Sequence, residues 1–329
     1  MRKRIFFVLT LCLIFLVSCR ANILPSTVRS NVYQNGQSAK TEVNFEVVDS
    51  DVYTPQYSKE QIDINNSFKV LSIFCDKDKN LVLANIYTTK TLSVMRKGLE
   101  LSVFSPQRQK KLRDFGLFCI FPDDVQVNSI EVEGSCAKID LNQKFFQKKY
   151  CNFYIKAITF FITSVNGIIK EVYFYKDGTI YNKAPFLRRQ NDQLILFVPQ
   201  RVEGNVFLVP KWINISQTYK NTPLTFALRQ LIKSLSYRFS KLNGLKLNNV
   251  NLKEKTLYID LSSQILNLKG SYEVDTILAS ICFTAKEIDN SIRYIKLSIE
   301  GKEGYLDQYD LKDKIDVNQF ELNPINLKL

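Results

Sequence analysis

Asp140 and Asp260 are the side chains best placed to do chemistry in this sequence. Each sits in a matching string, Ala137-Lys138-Ile139-Asp140-Leu141-Asn142 and Leu257-Tyr258-Ile259-Asp260-Leu261-Ser262, at a spacing of 120 residues. Two carboxylates that cleave a glycosidic bond must share one cleft, about 5–10 Å apart. One acid per string, so distant along the chain, gives no reason to expect that pairing. The preferred reading makes each an acceptor for backbone N–H groups in the turn after its strand. Asp123-Asp124 follow Pro122 and read as a turn. Trp212, the sole tryptophan, reads as a packing residue of a second core rather than a sugar platform. The sequence contains no histidine, which removes Ser–His–Asp and Cys–His catalysis and the usual zinc sites. It contains no glycine-rich phosphate loop and no cofactor motif, so neither a cofactor nor a metal is expected.

Cysteine offers a different chemistry. Arg2, Lys3 and Arg4 precede an apolar run from Ile5 to Val17, broken only by Thr10. A basic start and a short apolar segment mark a secretory leader. The run is too short to cross a bilayer, which takes about 20 residues. It ends in Leu16-Val17-Ser18-Cys19, which resembles the lipobox of bacterial lipoproteins. That resemblance implies removal of residues 1–18 and diacylglyceryl transfer to the Cys19 thiol. Acyl chains hold a protein on a membrane because each buried CH₂ contributes about 0.8 kcal/mol. The expected location is therefore extracytoplasmic, on the cell membrane or outer membrane.

Of seven cysteines, Cys12 leaves with the leader and Cys19 takes lipid. Cys75, Cys119, Cys136, Cys151 and Cys282 remain. An oxidising compartment permits disulfides among them, but none forms a CxxC and spacing selects no pairing. Buried thiols acting as small apolar residues are the favoured reading.

The net charge is +13, and loss of Arg2, Lys3 and Arg4 leaves +10. Outside the cytoplasm that charge points to anionic headgroups or acidic wall polymers rather than nucleic acid. It is spread widely. Arg108, Lys110, Lys111 and Arg113 form one dense cluster and Arg188-Arg189 a small second one, both read as solvated loops.

Residues 19–65 are polar and lack periodicity, the pattern of a flexible tether with a mean reach of roughly 35–40 Å. Beyond them, hydrophobic content of 45% with 23 Phe and 16 Tyr supports packed cores. A pattern then repeats. Ile130–Val132 with Cys136–Asn142, and Val250–Leu252 with Thr256–Ser262, each form two alternating runs around a turn, a hairpin signal. At the same offset Tyr154, Ala157, Ile158, Phe161, Ile162 and Val165 correspond to Val274, Ile277, Leu278, Ile281, Cys282 and Ala285. That spacing is the buried stripe of a helix, with Ser271 as expected N-cap of the second. Strands Ile169–Tyr175 and Ile292–Ile299 follow, ending in Asp177-Gly178 and Glu300-Gly301, and the offset grows to 123. Three extra residues are thus expected near Glu287–Ser291.

The fronts of the copies also correspond. Phe68–Cys75 with Leu81–Tyr87, and Leu194–Pro199 with Val206–Ile213, are hairpin candidates. Thr222-Pro223 opens a helix faced by Leu224, Leu228, Leu231 and Leu235. Its counterpart, Leu92–Phe104, is weaker and contains Gly98. The expected class is α+β: two tandem copies of a β-β-α-β-β-α-β module, each a mixed sheet packed against two helices. The copies span 66–182 and 191–309, a linker lies near Asn182–Asn191, and 310–329 is a C-terminal tail.

These residues resemble the GerMN domain, named for sporulation and spore germination proteins. In the second copy the resemblance rests on Leu257–Ser262, the apolar helix after it, and Tyr294–Glu300 with its Gly301 turn. In the first it rests on Phe121-Pro122, Ala137–Asn142 and Val172–Gly178. Pro122 fits the family's proline before the central hairpin, whereas the second copy has Leu242-Asn243-Gly244 and departs there. The resemblance implies lipid-anchored extracytoplasmic proteins that serve as envelope assembly or interaction modules without established catalysis. The leading expectation is therefore a non-enzymatic scaffold whose partners are the membrane and envelope proteins or wall polymer. Two alternatives stay open. One is a wall-glycan binder or carboxylate enzyme, which requires a cleft between modules lined by Asp or Glu and Tyr. The other is a surface lipoprotein that contacts a host.

Overall fold

The computed structural model describes residues 67–329, apart from Lys90 and Lys269. The leader, Cys19 and the tether lie outside the described residues. Strands β1 (Phe68–Cys75) and β2 (Leu81–Thr88) form the first hairpin, with Phe68 opposite Thr88 and Cys75 opposite Leu81. Helices α1 (Val94–Leu101) and α2 (Pro106–Arg113) follow, then β3 (Phe118–Cys119) on the free side of β1. Strands β4 (Val127–Glu133) and β5 (Cys136–Leu141) make the second hairpin. The single-turn α3 (Gln143–Phe146) and the long α4 (Cys151–Val165) lead to β6 (Glu171–Lys176), parallel to β5. Two short strands, β7 (Thr179–Ile180) and β8 (Phe186–Leu187), pair with β6.

The second copy repeats the order. It runs β9 (Gln193–Val202), β10 (Asn205–Asn214), α5 (Pro223–Arg238), β11 (Leu247–Lys253), β12 (Thr256–Leu261), α6 (Ser271–Ile288) and β13 (Tyr294–Ile299). Strand β12 pairs antiparallel with β11 and parallel with β13. Strands β14 (Tyr305–Leu306) and β15 (Tyr309–Asp310) form a small ladder, and β16 (Ile315–Asp316) pairs with β13. The last strand, β17 (Pro324–Lys328), pairs in parallel with β2 of the first copy. Residues 310–329, marked by sequence only as a tail, thus add a strand to each copy.

The α+β class and the tandem copies match the expectation. The division of strands is finer than a single sheet per copy: each front hairpin forms a sheet of its own, apart from β4–β5–β6 or β11–β12–β13. The composition of β9 explains why. Its run Leu194–Val198 is apolar on both faces, as in strands buried on both sides. Leu194, Leu196 and Val198 enter the core of the second copy, while Ile195 and Phe197, with Leu208 of β10, enter the core of the first. A third cluster lies between the two front hairpins and joins Phe74, Val82 and Ile86 to Phe207, Val209 and the β17 residues Ile325 and Leu327. The copies therefore share buried surface on both sides of one hairpin.

Hydrogen bonding at that hairpin follows from its prolines. Pro199 faces Leu208, and Phe197 faces Pro210. At both pairs the backbone groups point away from the partner strand, so a missing N–H costs no ladder bond. The outward groups of Phe197 are met by α6: Thr284 Oγ1 accepts from its N–H at 2.9 Å and Ser280 Oγ donates to its carbonyl at 2.6 Å. Outward groups of Leu208 are met by Asn323, whose Oδ1 accepts from the N–H at 2.7 Å and whose Nδ2 donates to the carbonyl at 2.9 Å. Asn323 Nδ2 also donates to Leu83 O of β2 at 2.8 Å.

Several local expectations need correction. The expected helix Leu92–Phe104 is α1, shorter, ending at Leu101. The cluster Arg108, Lys110, Lys111 and Arg113 is not a solvated loop but lies on α2, capped by Ser105 Oγ with Pro106 in the first turn. That helix buries only Gln109 and Leu112, too few apolar residues to show as a periodic stripe. Arg108 is tied to the carbonyls of Glu100 and Val103. The N-cap of α6 is Gly270, at φ +94°, and Ser271 is the first helical residue. Thr222 does hold the N-cap position of α5 with Pro223 following, although its side chain makes no capping bond.

Gly98 has a packing reason. A Cβ there would lie 2.4 Å from Leu71 O and 2.5 Å from the Phe161 ring. Ser72 Oγ and Ser102 Oγ also donate to Gly98 O, at 2.7 and 2.9 Å, fixing α1 against β1. Gly98→Ala should destabilise by about 2–3 kcal/mol through overpacking, despite its better helix propensity. Urea denaturation checks this; a stability gain would show that α1 can move off β1 freely.

Candidate functional site

The matching strings build the same clasp in each copy. Strand β4 carries a bulge between Val127 and Ser129, and β11 one between Leu247 and Asn249. The residues between, Asn128 and Asn248, point their amides at two acids. Asn128 Nδ2 donates to Asp140 Oδ2 at 3.2 Å and Asp177 Oδ1 at 3.3 Å. Asn248 Nδ2 donates to Asp260 Oδ2 at 3.1 Å and Glu300 Oε2 at 3.5 Å.

The acids are exchanged between parallel strand ends. Asp140 Oδ1 accepts from Gly178 N–H at 3.0 Å, beyond β6, while Asp177 Oδ2 accepts from Gln143 N–H at 3.0 Å, beyond β5. Asp260 Oδ1 accepts from Gly301 N–H at 2.8 Å and Glu300 Oε1 from Ser263 N–H at 3.0 Å. The aspartates thus bind turn N–H groups, as preferred from sequence, but across to the neighbouring strand's turn. The acid–glycine pairs reach those positions with φ of +45° at Asp177, +81° at Gly178, +51° at Glu300 and +70° at Gly301, the region that favours glycine.

Asp260 also accepts from Ser298 Oγ at 2.6 Å. Burial would raise its pKa, but the bonds from Ser298, Gly301 and Asn248 outweigh it and hold the carboxyl below its ordinary 3.8. A depressed folded pKa gives stability that is present above the ordinary value and lost as pH falls through the folded one. Asp260→Asn should therefore cost about 1 kcal/mol at neutral pH, and the gap to wild type should shrink below pH 3.8. Denaturation from pH 6 to pH 2 measures it; a gap constant across that range would rule out the ionised clasp.

A cleft of about 490 Å³ opens between the copies. Its walls come from β10, the first turns of α6, the segment 319–326, and Lys69 and Tyr87 of the first hairpin. Asp140 and Asp260 do not line it. Its charged groups are Lys69, Asp275 and Glu321. Lys69 Nζ meets Glu321 Oε2 at 2.6 Å and lies 5.3 Å from the Tyr87 ring centre. Burial would lower the Lys69 pKa, but Glu321 overrides it and holds the ammonium above its usual value. Asp275 Oδ1 accepts from Tyr309 OH at 2.6 Å and Gln308 Nε2 at 3.0 Å. Burial, then this bond, pushes the Tyr309 phenol up to about 12. Asn205, 5% exposed, carries an Nδ2 without a hydrogen-bond partner among the described residues. From sequence such a cleft entered only as the requirement of the glycan alternative, with none of its residues assigned, because its walls, Phe115 included, come from distant segments with no shared motif.

Trp212 packs in the core of the first copy rather than the second. It lies edge-on to Phe160 at 5.3 Å, and its Nε1 donates to Arg188 O at 3.2 Å. Arg188 is likewise no solvated loop residue. Its guanidinium donates to Phe160 O and Thr163 Oγ1, both at 2.9 Å, and meets Glu287 Oε2 of α6 at 2.7 Å. Helix α6 has 18 residues against 15 in α4. The three extra residues expected near Glu287–Ser291 thus extend this helix and carry Glu287 to Arg188. Arg189 binds Gln193 O at 2.7 Å.

All five described cysteines are free. Cys75 and Cys119 lie on paired strands but face opposite sides, one in the first core and one against the third cluster. Burial pushes the Cys75 thiol up to about 12 and raises Cys282 as well. Among the described residues no helix is long and apolar enough to cross a membrane.

The repeated clasp, the parallel β5–β6 and β12–β13 pairs and the front hairpins define an α+β protein built of two tandem copies. Residues 195–305 match the family model described as Germane, sporulation and spore germination. The fold is similar to the tandem GerMN domains of the sporulation protein GerM from Bacillus subtilis, at 18% identity and TM-score 0.62, covering 76% of this chain and 97% of that one. The first GerMN domain of the same protein matches at 19% identity and TM-score 0.31, over 36% of this chain and 93% of that one. No curated protein matches the sequence.

Proposed function

We propose that the chain is a lipid-anchored extracytoplasmic scaffold that uses its two GerMN-type modules to hold envelope proteins, in a setting related to sporulation or germination. The observation that carries this reading is the shared hairpin β9–β10. Its two faces enter the cores of both copies, so the pair presents one fixed outer surface instead of two hinged ones. The match of residues 195–305 to a sporulation and germination family supports the setting. The Leu16–Cys19 string supports the anchor, and the +10 charge of the mature chain suits an anionic surface. In-cell crosslinking of the tagged protein should capture a specific envelope partner, and failure across several growth states would sink the scaffold. Cys19→Ser should move the protein from the membrane to the soluble fraction; unchanged membrane association would remove the lipid anchor.

The cleft favours wall-glycan binding as a second reading, since Asp275, Glu321, Tyr87 and Tyr272 line it. Asp275→Asn and Glu321→Gln are then its informative variants, since Asp140 and Asp260 do not line the cleft. Equal retention of both variants and wild type on purified wall glycan would end that reading.

A further inference from the structure

The edge of β10 that looks into the cleft is an unfinished ladder. Outward direction alternates along a strand, so Val206 presents its N–H and C=O on the same side as Leu208 and Pro210. At Leu208 those groups are met by the carboxamide of Asn323, one donor and one acceptor. One rung further, at about 7 Å along the strand, Val206 lines the cleft and has no partner for either group among the described residues. Beside it stands the unpartnered Nδ2 of the buried Asn205. The edge of β9 shows how this fold treats such groups elsewhere, since side chains of α6 meet both at Phe197.

We propose that this cleft takes an extended peptide segment of a partner protein, one residue of which pairs with β10 at the Val206 rung beside Asn323, with a lysine or arginine facing Asp275 and Glu321. This rests on the scaffold reading and names how a partner would be held. Asn323 already shows which group the edge accepts: an amide, offering donor and acceptor at peptide spacing. A peptide supplies that pair from the backbone of a single residue. The volume, about 490 Å³, lies in the ligand-cleft range. Charge selects further. The three charged lining groups sum to −1 in a chain of +13, so a basic side chain is drawn to this cleft while most of the surface repels it.

The test titrates full-length protein in detergent with a fluorescein-labelled hexapeptide of alternating valine and lysine. Saturable binding is expected. A peptide of the same sequence, N-methylated at alternate residues, should bind at least tenfold more weakly. Val206→Pro should cause a similar loss; it removes only an outward N–H, as Pro210 already does on the same strand, and circular dichroism checks that the fold persists. Glu321→Gln should weaken the valine–lysine peptide but not a valine–glutamine one. Four-unit N-acetylglucosamine should not compete. Absence of saturable binding, equal binding to Val206→Pro, or displacement by the sugar overturns the proposal. The scaffold reading is scored separately: a partner crosslinked equally to wild type and Val206→Pro leaves the scaffold standing and removes this edge as its contact.

Discussion

Asn323→Leu should cost about 3–4 kcal/mol of folding stability, the largest single effect expected of a side chain outside the hydrophobic clusters. The amide of Asn323 meets Leu83 O, Leu208 N–H and Leu208 O in a buried position. Leucine keeps the volume and removes all three bonds. Each buried group left without a partner costs about 1–3 kcal/mol, and φ of +44° at this position adds strain for a residue other than Gly, Asn or Asp. The melting temperature should fall by roughly 8–15 °C for a body of this size. Asn326→Ala, on an exposed residue of the β17 strand that follows, should stay within about 0.5 kcal/mol of wild type. A loss below about 1 kcal/mol for Asn323→Leu would mean that water replaces the amide and that the two front hairpins are not stapled there.

Arg188→Leu should destabilise by about 3 kcal/mol. The two side chains of its ion pair with Glu287 are only 18% and 10% exposed, and removal of one partner from a shielded pair leaves an uncompensated charge. Arg188 also lies over the Phe160 ring, 4.2 Å from its centre, so part of the loss is packing. The double variant Arg188→Leu with Glu287→Leu should recover a third or more of the loss, because the orphaned carboxylate goes with its partner. Strict additivity in the double-mutant cycle would show the pair to be energetically independent.

These two residues show where sequence reading stopped. The central hairpins, the helices with wide apolar stripes and the acid–glycine turns were legible because each rests on local periodicity or on φ chemistry carried by adjacent residues. The 120-residue repeat made Asp140 and Asp260 visible, and their turn-binding role followed from residue type. The cross-strand exchange with Asp177 and Glu300 was not legible, since it depends on which strands become parallel neighbours. Helix α2 escaped for a different reason. With two buried residues it has no stripe, although Ser105-Pro106 announced its start. Arg188 looked like solvated charge because nothing local reports that Glu287 arrives from 99 residues away. Asn323 lay in an apparent tail, and its partners Leu83 and Leu208 are 240 and 115 residues distant.

The parallel pairing of β17 with β2 has a kinetic consequence. The first sheet receives its edge from the far end of the polypeptide, so its completion waits until residues 324–328 are available. Contacts that span such a length are slow to form. A chain threaded through a membrane from its N-terminus would meanwhile hold β2 with bare N–H and C=O groups beside an apolar face, a template for pairing with other chains. Such a protein should be sensitive to the supply of export chaperones during its synthesis and indifferent to them once β17 has docked. A pulse-chase protease assay reads that change as the time between appearance of full-length chain and onset of resistance.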